Sequence, residues 1–380
     1  MTTLGQSLDS RHNSVNAIRL FFATSILFLH ALPLGGYMDM PTFIFSDTIG
    51  TYMLAGFFAI SGYMITASRL SSRSLGDYMW RRVLRIYPAW IASLVLVGFV
   101  LGPLSRRIEG KPGYEWSSGL SYVTDNFFFV LKQFDVVGTL DNVPVPEVWN
   151  FSAWTLFYEF TLWIGMGLLV TVVARRYLHW GMYLGLAVFT AIKVADKLML
   201  SQSVQTFAAT DKAARERAYE HASSFEKLLT IVEPLARLGI FFMAGAILYI
   251  HKDKIRMSPV VAAACAVICT VLALDGIGWF HVIGALPWAY LVMYLGCSKR
   301  LAGVNFPDDY SYGMYIYAFP VTQIAATIAL DHPMPAVVFL PLCLLMTAPL
   351  AWLSWHYLEK PAMTLKRLTK GREKPIIGAS

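Results

Sequence analysis

Ionisable residues within long apolar runs are the first candidates for chemistry in this chain, because a charge at the centre of a membrane span costs about 2.5–3.5 kcal/mol. Arg19 and His30 lie in one such run, eleven residues apart. On a helix this spacing brings both side chains to nearly the same face, about 16 Å apart along the axis. We predict a shared functional face. The alternative is an anchoring arginine at the membrane surface and a hydrogen-bonded core histidine.

A second set consists of Arg81, Arg82 and Arg85, just before Tyr87-Pro88. The basic residues between the second and third apolar runs are all arginines, which present planar forks that match phosphate oxygens. Arg81 and Arg85 are also i,i+4 neighbours on a helix. We interpret the cluster as a phosphate-binding site. An ordinary basic loop on the cytoplasmic side is the alternative.

The third candidate is Glu159, about nine residues or 14 Å into the apolar run that follows Trp149. At that depth a carboxylate must be paired, protonated or exposed to a wet cavity. His30 lies at a similar depth, and a histidine–carboxylate pair is what general-base catalysis on a hydroxyl requires. We therefore predict that Glu159 orients His30. A structural buried glutamate is the alternative.

The elements that position these residues are membrane spans. Hydrophobic residues make up 56% of the 380 residues and charged residues 14%, whereas soluble domains carry about 25% charged residues. The basic residues cluster in short loops, which excludes a nucleic-acid partner, and the four cysteines lack metal-ligand spacing. Unbroken apolar runs indicate helices rather than a barrel. Ten runs are long enough: Asn16–Leu34, Thr48–Ala67, Ile86–Leu104, Asn150–Val173, Leu178–Ala195, Glu233–Ile250, Ser258–Leu274, Trp279–Cys297, Ser311–Leu330 and Met334–Tyr357.

Loop charges orient this bundle. Loops without lysine or arginine alternate with basic loops, so the positive-inside rule predicts that both termini are cytoplasmic. We thus predict an all-α integral membrane protein of about ten transmembrane helices in the plasma membrane. It forms a single domain over residues 1–380, with its core at 16–367 and a short basic tail at 368–380. The two longest loops, Ser105–Trp149 and Asp196–Val232, are expected outside.

Six short motifs occur in one order along nearly the whole chain, and together they resemble the membrane-bound acyltransferase 3 family of O-acyltransferases. The first is the Arg-x10-His of the first run, and the last is Glu359-Lys360-Pro361. Between them stand Phe57-Phe58-Ala59-Ile60-Ser61-Gly62, the arginine-rich approach Tyr78 to Pro88, Ser152-Ala-Trp154-Thr155 leading to Glu159, and Ser311-Tyr312-Gly313-Met314-Tyr315. One departure is Ala318, where many members have a second histidine.

The resemblance implies transfer of an acetyl group from acetyl-coenzyme A, as co-substrate, to a sugar hydroxyl of a glycan or lipid-linked saccharide, without a metal. Catalysis is expected at His30 and Glu159. Donor binding is expected at Arg19, Arg81, Arg82 and Arg85, and support of the site at Ser61, Trp154, Tyr312, Tyr315 and Glu359. A transporter or flippase that moves a lipid-linked sugar or small anion without chemistry is the alternative.

Overall fold

The computed structural model describes residues 2–8, 13–38, 48–199, 224–274, 279–298 and 308–366, and these residues form a multi-pass helical membrane bundle. In this described part, eight helices are long and apolar enough to cross a membrane, and two further apolar helices are shorter. The predicted basic tail 368–380 and residues 299–307, between the eighth and ninth predicted runs, lie outside the described residues.

The main helices follow the predicted runs. They are α1 (Val15–Leu34), α2 (Thr48–Ser71), α3 (Leu75–Leu96), α4 (Trp116–Asp125), α5 (Thr155–Val172), α6 (Leu178–Met199), α7 (Ser224–Ile250), α8 (Pro259–Leu274), α9 (Phe280–Ile283), α10 (Ala285–Gly296), α11 (Ser311–Asp331) and α12 (Ala336–Ser354). Short helical extensions lengthen two of them, so that α3 continues to Ile108 and α12 to Thr364.

Three predicted boundaries are wrong, and one of them is the start of α7, which lies at Ser224 rather than at Glu233. Helix α3 begins at Leu75 rather than near Ile86, because Ser74 caps it by accepting a hydrogen bond from the Asp77 backbone N–H at 3.1 Å. The arginine cluster therefore lies on the helix itself and not in a loop before it. The predicted eighth span is divided at Gly284 into α9 and α10.

Helices α2 and α7 pack closely because a glycine on each helix lies against the backbone of the other helix. A Cβ atom on Gly62 would lie 1.9 Å from the Phe242 carbonyl oxygen, and a Cβ atom on Gly245 would lie 1.9 Å from the Ala59 carbonyl oxygen. Small residues that allow such approach are typical of helix association in lipid. Gly62 follows Ser61, so this contact also fixes the part of α2 that carries a candidate site residue.

The entry of the chain into α5 is tied to α11. Asn150 donates to the Ile316 carbonyl oxygen at 3.0 Å. The Gln323 amide donates to the carbonyl oxygens of Val145 and Val148 at 2.9 and 2.6 Å. These buried polar bonds set the start of α5, and with it the position of Glu159, against α11.

The glycine contact predicts the stability of two variants. Gly62→Ala and Gly245→Ala each force a methyl group against backbone, so we expect each to lose about 1–3 kcal/mol of stability. Gly165→Ala in α5 is the matched control, since nothing lies within 4 Å of its added Cβ. Thermal unfolding of the purified protein in detergent measures the effect. Equal melting temperatures for all three variants would contradict the close packing.

Candidate active site

A cavity of about 350 Å³ opens between α1, α2, α3, α5, α11 and the extension of α12. Its ionisable and hydroxyl-bearing walls distinguish it from the apolar bundle around it. Those walls are formed by Arg19, Ser61, Arg81, Arg82, Arg85, Thr155, Glu159, Asp309, Ser311, Tyr312, Tyr315 and Lys366. Eight of the eleven residues predicted from the sequence are thus gathered in one cavity. Glu359, Trp154 and His30 are not among its lining residues.

Asp309 lies between two of the predicted arginines. Its Oδ2 atom accepts hydrogen bonds from Arg19 of α1 and from Arg85 of α3. Its Oδ1 atom accepts from the backbone N–H and the hydroxyl of Ser311, at 3.2 and 2.5 Å, at the start of α11. Burial alone would raise the pKa of this carboxyl, but the two guanidinium groups outweigh it and lower the pKa to about 2. Asp309 is therefore a carboxylate at physiological pH.

Glu359 completes this network from the extension of α12. It is fully buried, and its Oε2 atom accepts from Arg85 at 2.6 Å. Its Oε1 atom accepts from the Ser354 hydroxyl at 3.0 Å. Glu359, expected from the resemblance only to support the site, is thus paired with the arginine cluster. Arg85 thus holds two carboxylates and links three helices.

The other two arginines of the cluster differ from Arg85 and from each other. Arg81 donates to both carboxylate oxygens of Asp77, at 3.1 and 2.8 Å. Arg82 donates to the Ser68 hydroxyl at 3.2 Å, and its buried Nε has no hydrogen-bond partner. Within the described residues Arg82 forms no ion pair. It is therefore the arginine of this cavity whose charge is available to a ligand.

Lys366 adds a cation at the same end of the cavity. The pKa of its amine is lowered by burial and by the nearby Arg82, Arg85 and Arg81. The sequence offered no feature that distinguished this lysine from the other basic residues near the C-terminus. It lies about two helical turns after Glu359, so it reaches the cavity only because the last helix extends beyond its predicted end at Tyr357.

Glu159 lies in the middle of the cavity, at the end of a short hydrogen-bond chain. The Trp163 indole donates to the Ser61 hydroxyl at 3.1 Å, and that hydroxyl donates to Glu159 at 3.3 Å. Ser61, predicted only as site support, is therefore the direct partner of the candidate carboxylate. The chain joins α2 to α5.

His30 lies in a separate, smaller cavity with Ser152, Tyr315 and Ala318. Its Nδ1 is 2.8 Å from the Ile26 carbonyl oxygen. A carbonyl can only accept, so Nδ1 carries the proton and the lone pair of the neutral imidazole is on Nε2. A general base needs such a lone pair.

Tyr315 separates the two cavities, because its side chain lines both. Its hydroxyl is 2.7 Å from the Thr155 hydroxyl and donates to the Ser152 carbonyl oxygen at 2.5 Å. Among the residues the structure describes, no hydrogen bond joins His30 to Glu159. That Glu159 orients His30 therefore stays a prediction, since Tyr315, a residue of a third helix, lines the cavities of both.

The remaining two predicted residues have distinct positions. The Tyr312 hydroxyl donates to the Ile86 carbonyl oxygen at 3.1 Å, which joins α11 to α3 beside Arg85. Trp154 lies outside the large cavity, with the Arg237 guanidinium 5.2 Å from its ring centre.

The bridging carboxylate predicts a large effect on stability. Asp309→Asn leaves Arg19 and Arg85 facing each other without their shared anion, and breaking a buried ion pair costs about 3–5 kcal/mol. We expect a correspondingly lower unfolding temperature in detergent. Asp308→Asn is the matched control, since its side chain pairs with the half-exposed Lys360 instead. A melting temperature equal to that of the control would remove Asp309 from this role.

Residues 12–356 match a family described as an acyltransferase domain, acyltransferase 3. An O-acetyl transferase of Shigella phage Sf6 is 25% identical over 360 residues, which cover 93% of this chain and 97% of that protein. Nodulation protein 10 of Rhizobium leguminosarum bv. viciae is 26% identical over 373 residues, covering 94% of this chain and 95% of the relative.

A putative peptidoglycan O-acetyltransferase of Bacillus subtilis is 24% identical over 81% of this chain and 50% of its own length. No solved structure matches the chain. The family match covers most of the chain, and all six sequence motifs fall within it or directly after it. The chain therefore belongs to the acyltransferase 3 family of membrane-bound O-acyltransferases.

Proposed function

We propose that the chain transfers an acetyl group from acetyl-coenzyme A to a hydroxyl of a cell-surface or exported glycan, in the plasma membrane. The observation that carries this proposal is the 350 Å³ cavity, which combines an arginine without an ion pair at one end with hydroxyls and a carboxylate further along. The phage relative, which aligns over 97% of its length, and the Bacillus subtilis relative, which aligns over 50% of its length, are both named as O-acetyltransferases. Membership of an acyltransferase family favours this chemistry over transport without reaction.

The donor's phosphates bind, in this proposal, at the cation-rich end of the cavity. Arg82 and Lys366 supply charge and hydrogen-bond donors, and Arg81 adds to the field while it remains paired with Asp77. Arg85 and Arg19 act differently from the sequence prediction, because Asp309 and Glu359 together already balance their charges. They position the helices around the donor. The positive-inside rule assigns this end to the cytoplasm, where acetyl-coenzyme A is made.

The acetyl group is transferred near Tyr315. His30 Nε2 takes the proton from the sugar hydroxyl, and the oxygen attacks the thioester carbonyl carbon. The carbon–sulfur bond then breaks, and the leaving thiolate takes a proton from the imidazolium. A rotation of the Tyr315 ring joins the two cavities for this step. Glu159 provides negative charge on the large-cavity side, which stabilises the protonated imidazole.

The donor site predicts that Arg82 controls affinity for acetyl-coenzyme A. Arg82→Gln removes the available guanidinium, so we expect KM for acetyl-coenzyme A to rise about tenfold or more, since a hydrogen bond to a charged group is worth about 1.5–3 kcal/mol. The matched control is Arg73→Gln, which removes the same charge from an exposed position just before α3. Radiolabelled acetyl transfer to membrane glycan is measured at several donor concentrations. If both variants keep the wild-type KM, phosphate binding by Arg82 is excluded.

The base assignment predicts that His30→Gln loses transfer by about 10²- to 10⁴-fold. Glutamine can donate to the Ile26 carbonyl oxygen but cannot take the proton. His332→Gln, at an exposed histidine after α11, is the control. Coenzyme A binding by the purified variants shows whether the fold is intact. Substantial transfer by His30→Gln would defeat the assignment. Acetyl label covalently held by the wild-type protein without acceptor would identify His30 as a transient acyl carrier instead of a base.

A further inference from the structure

A second group of ionisable side chains lies at the opposite end of α2 from the arginine cluster. Ser68 of α2 contacts Arg82, whereas Thr51 of α2 lines a small cavity with Arg237 and His281. Seventeen helical residues span about 26 Å, which is most of the thickness of a bilayer core. The two groups therefore lie near opposite faces of the membrane.

Charged residues from two helices meet in this second group. Lys193 of α6 donates to Asp196 at 2.8 Å and to Glu233 of α7 at 2.6 Å. The Nε of Arg237 is 3.6 Å from Glu233 Oε1, which is an ion-pair distance but too long for a hydrogen bond. Such residues in otherwise apolar helices are costly and point to a functional site. The donor site described above uses none of them.

Arg237 is the unusual member of the group. It donates no hydrogen bond to any residue that the structure describes, and its Nε is buried. Its side chain remains 33% exposed, so a ligand can reach the guanidinium. The ring of Trp154 lies 5.2 Å below it and is in edge-to-face contact with Tyr158 at 5.6 Å. Buried donors in folded proteins are nearly always satisfied, which calls for a partner at this position.

We propose that Arg237, Glu233 and Trp154 form the subsite that binds a neutral sugar ring of the acceptor, and this inference rests on the proposed function. A guanidinium can only donate hydrogen bonds and a carboxylate can only accept them. A hydroxyl both donates and accepts, so a guanidinium next to a carboxylate can bind one sugar hydroxyl through two hydrogen bonds. Lys193 and Arg237 balance the charges of Glu233 and Asp196, so the group has no net charge that would favour an anionic ligand over a neutral one. The aromatic rings of Trp154 and Tyr158 provide apolar surface for the C–H face of a pyranose.

This subsite adjoins the large cavity. Leu54 of α2 lines both the large cavity and the small one beside Arg237. Trp154 directly precedes Thr155, and Tyr158 directly precedes Glu159, both of which line the large cavity. An acceptor held here approaches the reaction centre from the face opposite to the donor. Trp154 lies outside the large cavity, and contact with the acceptor sugar gives it a role in this second site instead.

The test is glycoside binding to the purified full chain in detergent, without acetyl-coenzyme A. The probes are the methyl glycosides of glucose, galactose, rhamnose, N-acetylglucosamine and glucuronate, observed by saturation-transfer NMR. We expect at least one neutral glycoside to bind saturably and more tightly than glucuronate. Arg237→Gln should weaken that binding about tenfold or more and leave coenzyme A binding unchanged. Lys197→Gln removes one positive charge near the C-terminal end of the neighbouring helix α6 and should bind glycoside like wild type.

Four results would overturn the subsite. The first is that no neutral glycoside binds saturably, and the second is that glucuronate binds more tightly than the neutral glycosides. The third is that Arg237→Gln binds glycoside with wild-type affinity. The fourth is that Arg237→Gln, but not Lys197→Gln, loses both glycoside and coenzyme A binding. The last would assign Arg237 to folding. Because no acetyl transfer is measured, these results are independent of the proposed function. A chain that binds glycoside through Arg237 but transfers no acetyl group would keep the subsite and lose the acyltransferase proposal.

Discussion

A carboxylate shared by two arginines lies where four helices of the bundle meet. Asp309, at the start of α11, accepts from Arg19 of α1 and Arg85 of α3, and Arg85 also holds Glu359 after α12. Two cations and two anions cancel, which is the condition for charges of this kind to remain within an apolar bundle. Because one ion network joins segments that are far apart in sequence, the shape of the cavity depends on it.

This neutralisation divides the basic residues into two groups. Arg19 and Arg85 are used within the protein, and Arg81 is held by Asp77. Arg82 keeps its charge without a carboxylate partner in the described part of the chain. The capacity of this cavity to attract an anionic ligand therefore depends on a residue that sequence motifs do not distinguish from its neighbours. A motif of three arginines thus contains one residue suited to a ligand, one that joins helices and one that is paired within its own helix.

The sequence predicted most of the fold because burial in lipid leaves few choices. Apolar runs must be helices, and the ten predicted runs correspond to eight long and two shorter apolar helices in the described residues. The start of α3 was wrong because arginines reduce hydropathy without ending a helix. Only the cap at Ser74 and the Asp77–Arg81 pair show where that helix begins.

The candidate site was predicted less completely, for a geometric reason. Helical spacing gives the depth of a residue and its face on its own helix, but not the rotation of that helix against its neighbours. His30 and Glu159 were predicted at a similar depth, but they line different cavities, and Tyr315 of α11 lines both. Asp309 carried no signal, because it lies outside any apolar run. Its role appears only when α1 and α3 are brought beside the start of α11.

The arginine cluster and the Arg237 group lie at opposite ends of α2, and their separation helps to distinguish an enzyme from a transporter. A transporter that moves one substrate needs a single site that opens to each face in turn, as the midplane sites of repeat-built carriers do. Here the cations that suit a phosphate-bearing donor lie about 26 Å from the Arg237 group along α2. Glu159, Ser61 and Tyr315 lie between them. Two ligands that approach from opposite faces and meet at a central site require no alternation of the bundle. In the proposed function a side-chain movement at Tyr315 connects the central groups, and this arrangement fits group transfer better than transport of a whole substrate.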